Sequence, residues 1–357
     1  MTTTTMSGKE HLKACIKKLV SGEILTRDEA TLAMEAFIAG DFSHAQLGCM
    51  MMGLRMRGET SEELQGFLAP YVSRSRRIEL PAELLPIVDM CGTGGDGPSA
   101  SVFNVSTTAM FVAVGAGVRV LKHGTSAVSS DSGSTDVLKQ LGVQMVSDPE
   151  QVVACLKAAG VAYIHGPSMN PAMGNVIGPR RETGMRSFFN LLGPMSNPAA
   201  PERQVIGVYD PRYTEVVART LASFGRKHVL VVCAEDGLDE ISITTRTHVS
   251  ELKNGSVRSY TLEPEELGVK RATLAELSGG DPATNATILR RLLSGELRDA
   301  RRELVAVNAG AALVVAGKCD TLREGAALAR ASIDQGDALA ALERLSSFKA
   351  GAQGANA

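Results

Sequence analysis

The sequence predicts an α/β protein. A small N-terminal helical lobe, residues 1–80, precedes a larger lobe, residues 81–350, with a mainly parallel central sheet flanked by helices. Three observations carry this. Residues 8–75 hold only helical periodicity, residues 87–236 alternate short apolar runs with helical stretches, and from about residue 270 the chain is helical again. Its 357 residues suit two domains, or one large domain with an attached lobe.

In KEHLKACIKKLV, Leu12, Cys15, Ile16, Leu19 and Val20 form a helical stripe. Three helix starts follow, each a Ser or Thr with Glu or Gln three residues on: Thr26 with Glu29, Ser43 with Gln46, Thr60 with Glu63. Four helices are expected, turning at AGDFS and GET. The third, HAQLGCMMMGLRMRG, is apolar on more than one face. That points to a homodimer through the N-terminal helices, with packing against the rest of the chain as the alternative.

Past the connector SRSRRIELPAELLP, IVDM (87–90) is expected as a strand, NVSTTAMFVAVGAG (104–117) as a helix, VRVL (118–121) as a strand and SGSTDVLKQLG as a helix. VQMVS and VAYIHG read as strands around a helix beginning at Pro149. VIGVYD (205–210) and HVLVVCAED (228–236) flank another helix. ISITTRTHVSELKNGSVRSYTL reads as antiparallel strands turning at Asn254-Gly255.

Composition narrows the function. The 37 basic and 39 acidic residues leave a net charge of −2, and aromatics make up 4%. Neither favours nucleic acid as a partner. Six scattered cysteines without a C-x-x-C pair read as reduced thiols. With no apolar signal core and no 18-residue apolar run, a cytoplasmic, non-membrane protein is expected.

Four stretches carry chemistry. DMCGTGGDGPSASVFNVST (89–107) joins a strand end to a helix start, where free N–H groups and glycine's bare backbone cradle phosphate. Its bland reading is a turn capped by Asn104 or Ser106. KHGTSAVSSDSGSTD (122–136) offers Lys122 and the hydroxyls of Ser126, Ser129, Ser130, Ser132 and Ser134. AEDGLDEIS (234–242) presents Asp239 and Glu240 side by side at a strand start, a pair suited to Mg²⁺ or to a solvated turn. IGPRRETGMRSFFNLLGPMSNPA (177–199) places three arginines near a Phe-Phe pair, for carboxylate recognition or as a salt-bridge hub.

Together, in this order, GTGGDG…FNVST, KHG…SS.SGS.D, RRE.G.R..FNLLGP..NPA and DGLDE.S resemble the anthranilate phosphoribosyltransferases from about residue 10 to 345. The resemblance implies transfer of 5-phosphoribosyl from its 1-diphosphate (PRPP) to the amino nitrogen of anthranilate, Mg²⁺-dependent, in tryptophan biosynthesis. It implies the nucleoside phosphorylase-like fold, a homodimer, and a return of residues 178–200 to the helical lobe. Gly92 would touch both substrates. Gly95, Asp96, Asn104, Ser106, Thr107, Lys122, Ser129, Ser130 and Ser134 would bind PRPP. Ser106, Asp239 and Glu240 would hold Mg²⁺, and Arg180 would receive the acceptor carboxylate. No catalytic acid or base is assigned, because an aniline nitrogen needs little deprotonation before attack; His123 is the nearest histidine.

The sequence also departs from the family. Thr125 stands for an asparagine facing the acceptor, Ser126 for an arginine, Asn170 for a common histidine and Val102 for a threonine. Two extra residues lie near Pro98-Ser99. Most departures gather toward the acceptor, so a different aromatic amine or carboxylate stays open. So do a phosphorylase-like enzyme and a non-catalytic nucleotide- or nucleic-acid-binding relative.

Overall fold

The computed structural model describes residues 6–94, 102–126 and 132–350. The helical lobe holds α1 (Gly8–Val20), α2 (Arg27–Ala39), α3 (His44–Arg57) and α4 (Ser61–Ser73). Each opens on a capping box, at Ser7, Thr26, Ser43 and Thr60, which satisfies backbone donors that the first turn leaves unpaired. Gly40 ends α2 in the left-handed region at φ 74°. On α3, Leu47, Met50, Met51 and Leu54 are buried while Met52 and Met56 stay exposed.

The larger lobe runs β1 (Ile87–Gly92), α5 (Val105–Gly115), β2 (Arg119–Gly124), α6 (Ser134–Gln140), α7 (Pro149–Ala159), β3 (Val161–His165), α8 (Gly166–Met169), α9 (Gly174–Thr183), α10 (Phe188–Met195), β4 (Arg203–Gly207), α11 (Arg212–Ser223) and β5 (His228–Ala234). A hairpin of β6 (Thr247–Lys253) and β7 (Ser256–Leu262) follows, turning at Asn254 (φ 51°) and Gly255 (φ 79°). Helices α12 (Pro282–Leu293), α13 (Ala300–Ala316), α14 (Leu322–Asp334) and α15 (Asp337–Ser347) close the described chain.

The seven strands lie in the order β3-β2-β1-β4-β5-β6-β7, parallel from β3 to β5 and antiparallel beyond. From β1 the chain steps outward through β2 and β3, then returns to the other side of β1 with β4. The sheet therefore has its switch point between β1 and β4, where ligands of open parallel sheets bind. Successive strand residues serve opposite faces. Met90, Val205, Leu230 and Val232 join the core under α5 and α13. Cys91, Ile206, Val231 and Cys233 join the core shared with the helical lobe. Residues of α9 and α10 enter that second core, where Phe188 stacks on Phe67 at 4.5 Å.

One expected strand is absent and another starts late. VQMVS forms only the isolated bridge Val146–Ile164. Its buried residues, Val143 and Val146, are three apart, which a strand of period two cannot satisfy. ISITTR is a loop, and β6 starts at Thr247. Ile241 and Ile243 are buried as a strand face would be, but the Asn308 side chain holds the Ile241 backbone and the Ala272 N–H donates to the Ile243 carbonyl. Asp239 and Glu240 thus lie in a loop rather than at a strand start. The VIGVYD strand lies earlier, at 203–207. Among the described residues no helix is long and apolar enough to cross a membrane.

Candidate active site

At the switch point, the Asp239-Glu240 loop lies on the ends of β1 and β4. The approach is close enough to exclude side chains. A Cβ on Gly92 would fall 2.2 Å from Asp239 Oδ2, and one on Gly207 would fall 1.5 Å from the Asp239 carbonyl oxygen. Gly94 donates its N–H to Asp239 Oδ2 at 2.9 Å. One carboxylate of the pair is therefore tied to the glycine-rich stretch itself. Burial first, and then the charge of Asp239 and a hydrogen bond to it, push the Glu240 carboxyl well above the usual range. Two adjacent hard oxygen donors fit Mg²⁺, which takes one or two carboxylates together with water and phosphate oxygens.

The helix after the glycine stretch, α5, is buried along nearly its whole length, from Val105 to Val114. Asn104 occupies its N-cap position but makes no capping bond. Instead Asn104 Nδ2 donates to the Ser132 carbonyl (3.0 Å), while Asn104 Oδ1 accepts from Ser132 Oγ (3.1 Å) and Asn285 Nδ2 (3.0 Å). Thr107 Oγ1 donates to Ser134 Oγ at 2.8 Å. These bonds hold the serine stretch against the start of α5. Its first N–H groups receive no side-chain cap and face the site with the helix's positive end. Gly95, Asp96, Ser129 and Ser130 lie outside the described residues.

Lys122, only 2% exposed, sits beneath this floor. Its ammonium donates to the Met90 carbonyl and to Ser106 Oγ, the latter at 3.1 Å. Burial pulls its pKa down, against the opposing pull of Cys91, Asp89, Glu240 and Asp239. Its charge thus acts from below the carboxylate pair and through the Ser106 hydroxyl.

Next to it, His123 does more than bond backbone. Its Nδ1 lies 2.7 Å from Asp89 Oδ2 and its Nε2 2.8 Å from the Gly193 carbonyl. With acceptors at both nitrogens, the ring is held as imidazolium, a donor at each end. Asp89, Cys91 and His123 cluster closely enough to suggest a metal site. Both ring nitrogens are engaged, however, and burial keeps Cys91 a protonated thiol that donates to Asp89 and the Pro194 carbonyl, so the three groups satisfy one another without an ion.

Arg180 lies in the last turn of α9 and stacks on Phe189, its guanidinium carbon 4.8 Å from the ring centroid. It makes no ion pair among the described residues, so the salt-bridge hub is not found there. Burial lowers its pKa, partly offset by Tyr71. A half-buried guanidinium with no carboxylate partner among the described residues has the chemistry to receive one. Asn170, 5% exposed, points its amide nitrogen at the Tyr71 carbonyl (2.8 Å) and Ser75 Oγ (3.1 Å), leaving Oδ1 without a partner. Thr125 is exposed at the end of β2. Sequence reading missed Gly207, Asn285 and Asn308. Of these, an asparagine inside the apolar run VAVNAGAALVVA was a visible signal.

Residues 84–339 match the α/β domain of a glycosyl transferase family, and residues 13–74 its helical bundle domain. An anthranilate phosphoribosyltransferase of Rhodopseudomonas palustris is 46% identical over 95% of this chain and 99% of its own length. The chain belongs to the anthranilate phosphoribosyltransferase family. A relative from Symbiobacterium thermophilum with the same name is 44% identical over 94% of this chain and 97% of its own. The crystal structure of the family member from Thermus thermophilus superposes with TM-score 0.85 at 38% identity, covering 93% of this chain and 98% of that one. The Saccharomyces cerevisiae enzyme in complex with PRPP and Mg superposes at 0.82 and 26% identity, covering 94% and 96%. As an anthranilate phosphoribosyltransferase relative, the chain is a pentosyltransferase of the glycosyltransferase type.

Proposed function

We propose that the protein transfers 5-phosphoribosyl from PRPP to the amino group of anthranilate, with Mg²⁺, in tryptophan biosynthesis in the cytoplasm. The observation that carries this reading is the hydrogen bond from Gly94 N–H to Asp239, which joins a phosphate-binding backbone to a metal-binding carboxylate. The uncapped start of α5, Ser106, Thr107 and the serine stretch through Ser134 would grip the phosphates. Asp239 and Glu240, with Ser106, would hold Mg²⁺, which when bound neutralises charge on the departing diphosphate. Arg180 would take the acceptor carboxylate and turn the amine toward the ribose. Loss of diphosphate leaves positive charge on C1, so holding the two substrates in line contributes more than proton removal. Exposed apolar side chains on α1 and α3 support a homodimer through the helical lobe.

A second reading, a different aromatic amine or carboxylate as acceptor, is favoured by Thr125 and by the unpartnered Asn170 Oδ1. One experiment tests both. The full chain is incubated with PRPP and Mg²⁺, a panel of aromatic amines and carboxylates is offered, and diphosphate release is measured. Release highest with anthranilate supports the first reading, and a clear preference for another acceptor supports the second. Release with none of them defeats both.

A further inference from the structure

We infer that Asn308 is a positioning residue for divalent-cation binding, acting through the backbone that carries Asp239 and Glu240. This rests on the reading that the two carboxylates hold Mg²⁺. Asn308 is 4% exposed in the middle of α13, among fully buried Val305, Ala309 and Ala312. Its Oδ1 accepts from Ile241 N–H at 3.0 Å, and its Nδ2 donates to the Ile241 and Leu304 carbonyls, each at 2.9 Å. Both backbone groups of the residue after Glu240 are thus held by one rigid amide.

On the near side of the pair, Leu238 is held too. Its N–H donates to Asp236 Oδ1 at 3.1 Å, and its carbonyl accepts from Ala234 N–H at 2.9 Å. The two carboxylates therefore stand between two fixed points. Their mount is stiff, since a Cβ on Gly310 would fall 2.5 Å from Ala326 N, so α13 lies directly against α14. The clamp holds them in a geometry that a cation can enter.

The test is Mn²⁺ binding to the full chain with PRPP, read from the paramagnetic resonance signal of free Mn²⁺. PRPP binding without metal is measured by calorimetry. Asn308→Ala is expected to bind Mn²⁺ roughly 10–100-fold more weakly, the usual effect of removing a partner behind metal ligands. Its metal-free PRPP affinity should stay unchanged. Should that variant not fold, the isosteric Asn308→Asp keeps an acceptor for Ile241 N–H and loses the donors. Ser332→Ala removes a buried bond from α14 to the Val112 carbonyl, away from the loop, and should lower the melting temperature without moving Mn²⁺ affinity. A folded Asn308 variant that binds Mn²⁺ like the unaltered chain overturns the inference, as does an equal weakening by Ser332→Ala. No Mn²⁺ binding by the unaltered chain would overturn the carboxylate pair itself, and the inference with it.

Discussion

Gly207 and Asp239 lie so close that a single added methyl carbon on the glycine would stand 1.5 Å from the aspartate's carbonyl oxygen. The obstacle is backbone, so no rotamer change relieves it. Gly207→Ala should cost roughly 1–3 kcal/mol of stability, as overpacked sites do. It should also displace the carboxylate pair and lower turnover. Thermal melting together with diphosphate release checks this; an unchanged melt with full activity would contradict the packing described.

Glu240→Gln keeps the shape of the side chain and removes its charge. Turnover should fall on the order of 10²-fold or more, the scale seen when one group stabilising a developing charge is lost. Added Mg²⁺ should restore part of it. A variant with normal rates at all Mg²⁺ concentrations would remove Glu240 from the metal site.

Arg180→Ala should act on one substrate only. Loss of a charge-assisted carboxylate contact is expected to raise the acceptor KM roughly 10–100-fold, while the KM for PRPP stays put. Steady-state kinetics with each substrate varied in turn separates the two. A raised PRPP KM would mean that the guanidinium faces the sugar phosphate.

The buried Asp89–His123 pair gives stability a pH signature. Burial pulls the Asp89 carboxyl up, but the charge and hydrogen bond of His123 outweigh it, and the net shift is downward. Its contribution is present above the ordinary aspartate value and is lost as pH falls through the lowered one. For His123, burial pulls down, while Asp89 and the Gly193 carbonyl push up, for a net rise. That contribution is complete below the ordinary histidine value and is lost as pH climbs through the raised one. His123→Asn should therefore destabilise by about 3–5 kcal/mol, the usual cost of breaking a buried pair. The difference from the unaltered chain should be greatest between about pH 4 and 6.5. Urea unfolding across pH measures it, and a difference independent of pH would rule out an ionised pair.

The helical lobe exposes Met56 at 78% and Val20 at 84%. α1 and α3 pack together, Leu19 standing 3.1 Å from where a Gly53 Cβ would be, so these residues belong to one surface. Met56→Glu should convert a dimer to monomers in sedimentation velocity. A dimer that survives the substitution would place the interface elsewhere, and a monomer before it would rule out the dimer.

By itself the sequence determined what depends on near neighbours. Thr26, Ser43 and Thr60 announced their helices because a cap and its glutamate or glutamine lie three residues apart. The β-α alternation announced the sheet, and the glycine and hydroxyl runs announced where its ligand edge lies. Tertiary structure alone decided what depends on residues far apart in the chain. Ile241 and Ile243 alternate like a strand, yet Asn308, 67 positions from Ile241, holds that segment as a loop. Gly207 looked like any strand glycine until Asp239 was seen lying across it. His123 gained its charge from Asp89 and Gly193, 34 and 70 positions away. Periodicity and capping are local and can be read along a chain; close approach and electrostatic pairing are not, because only folding brings such partners together.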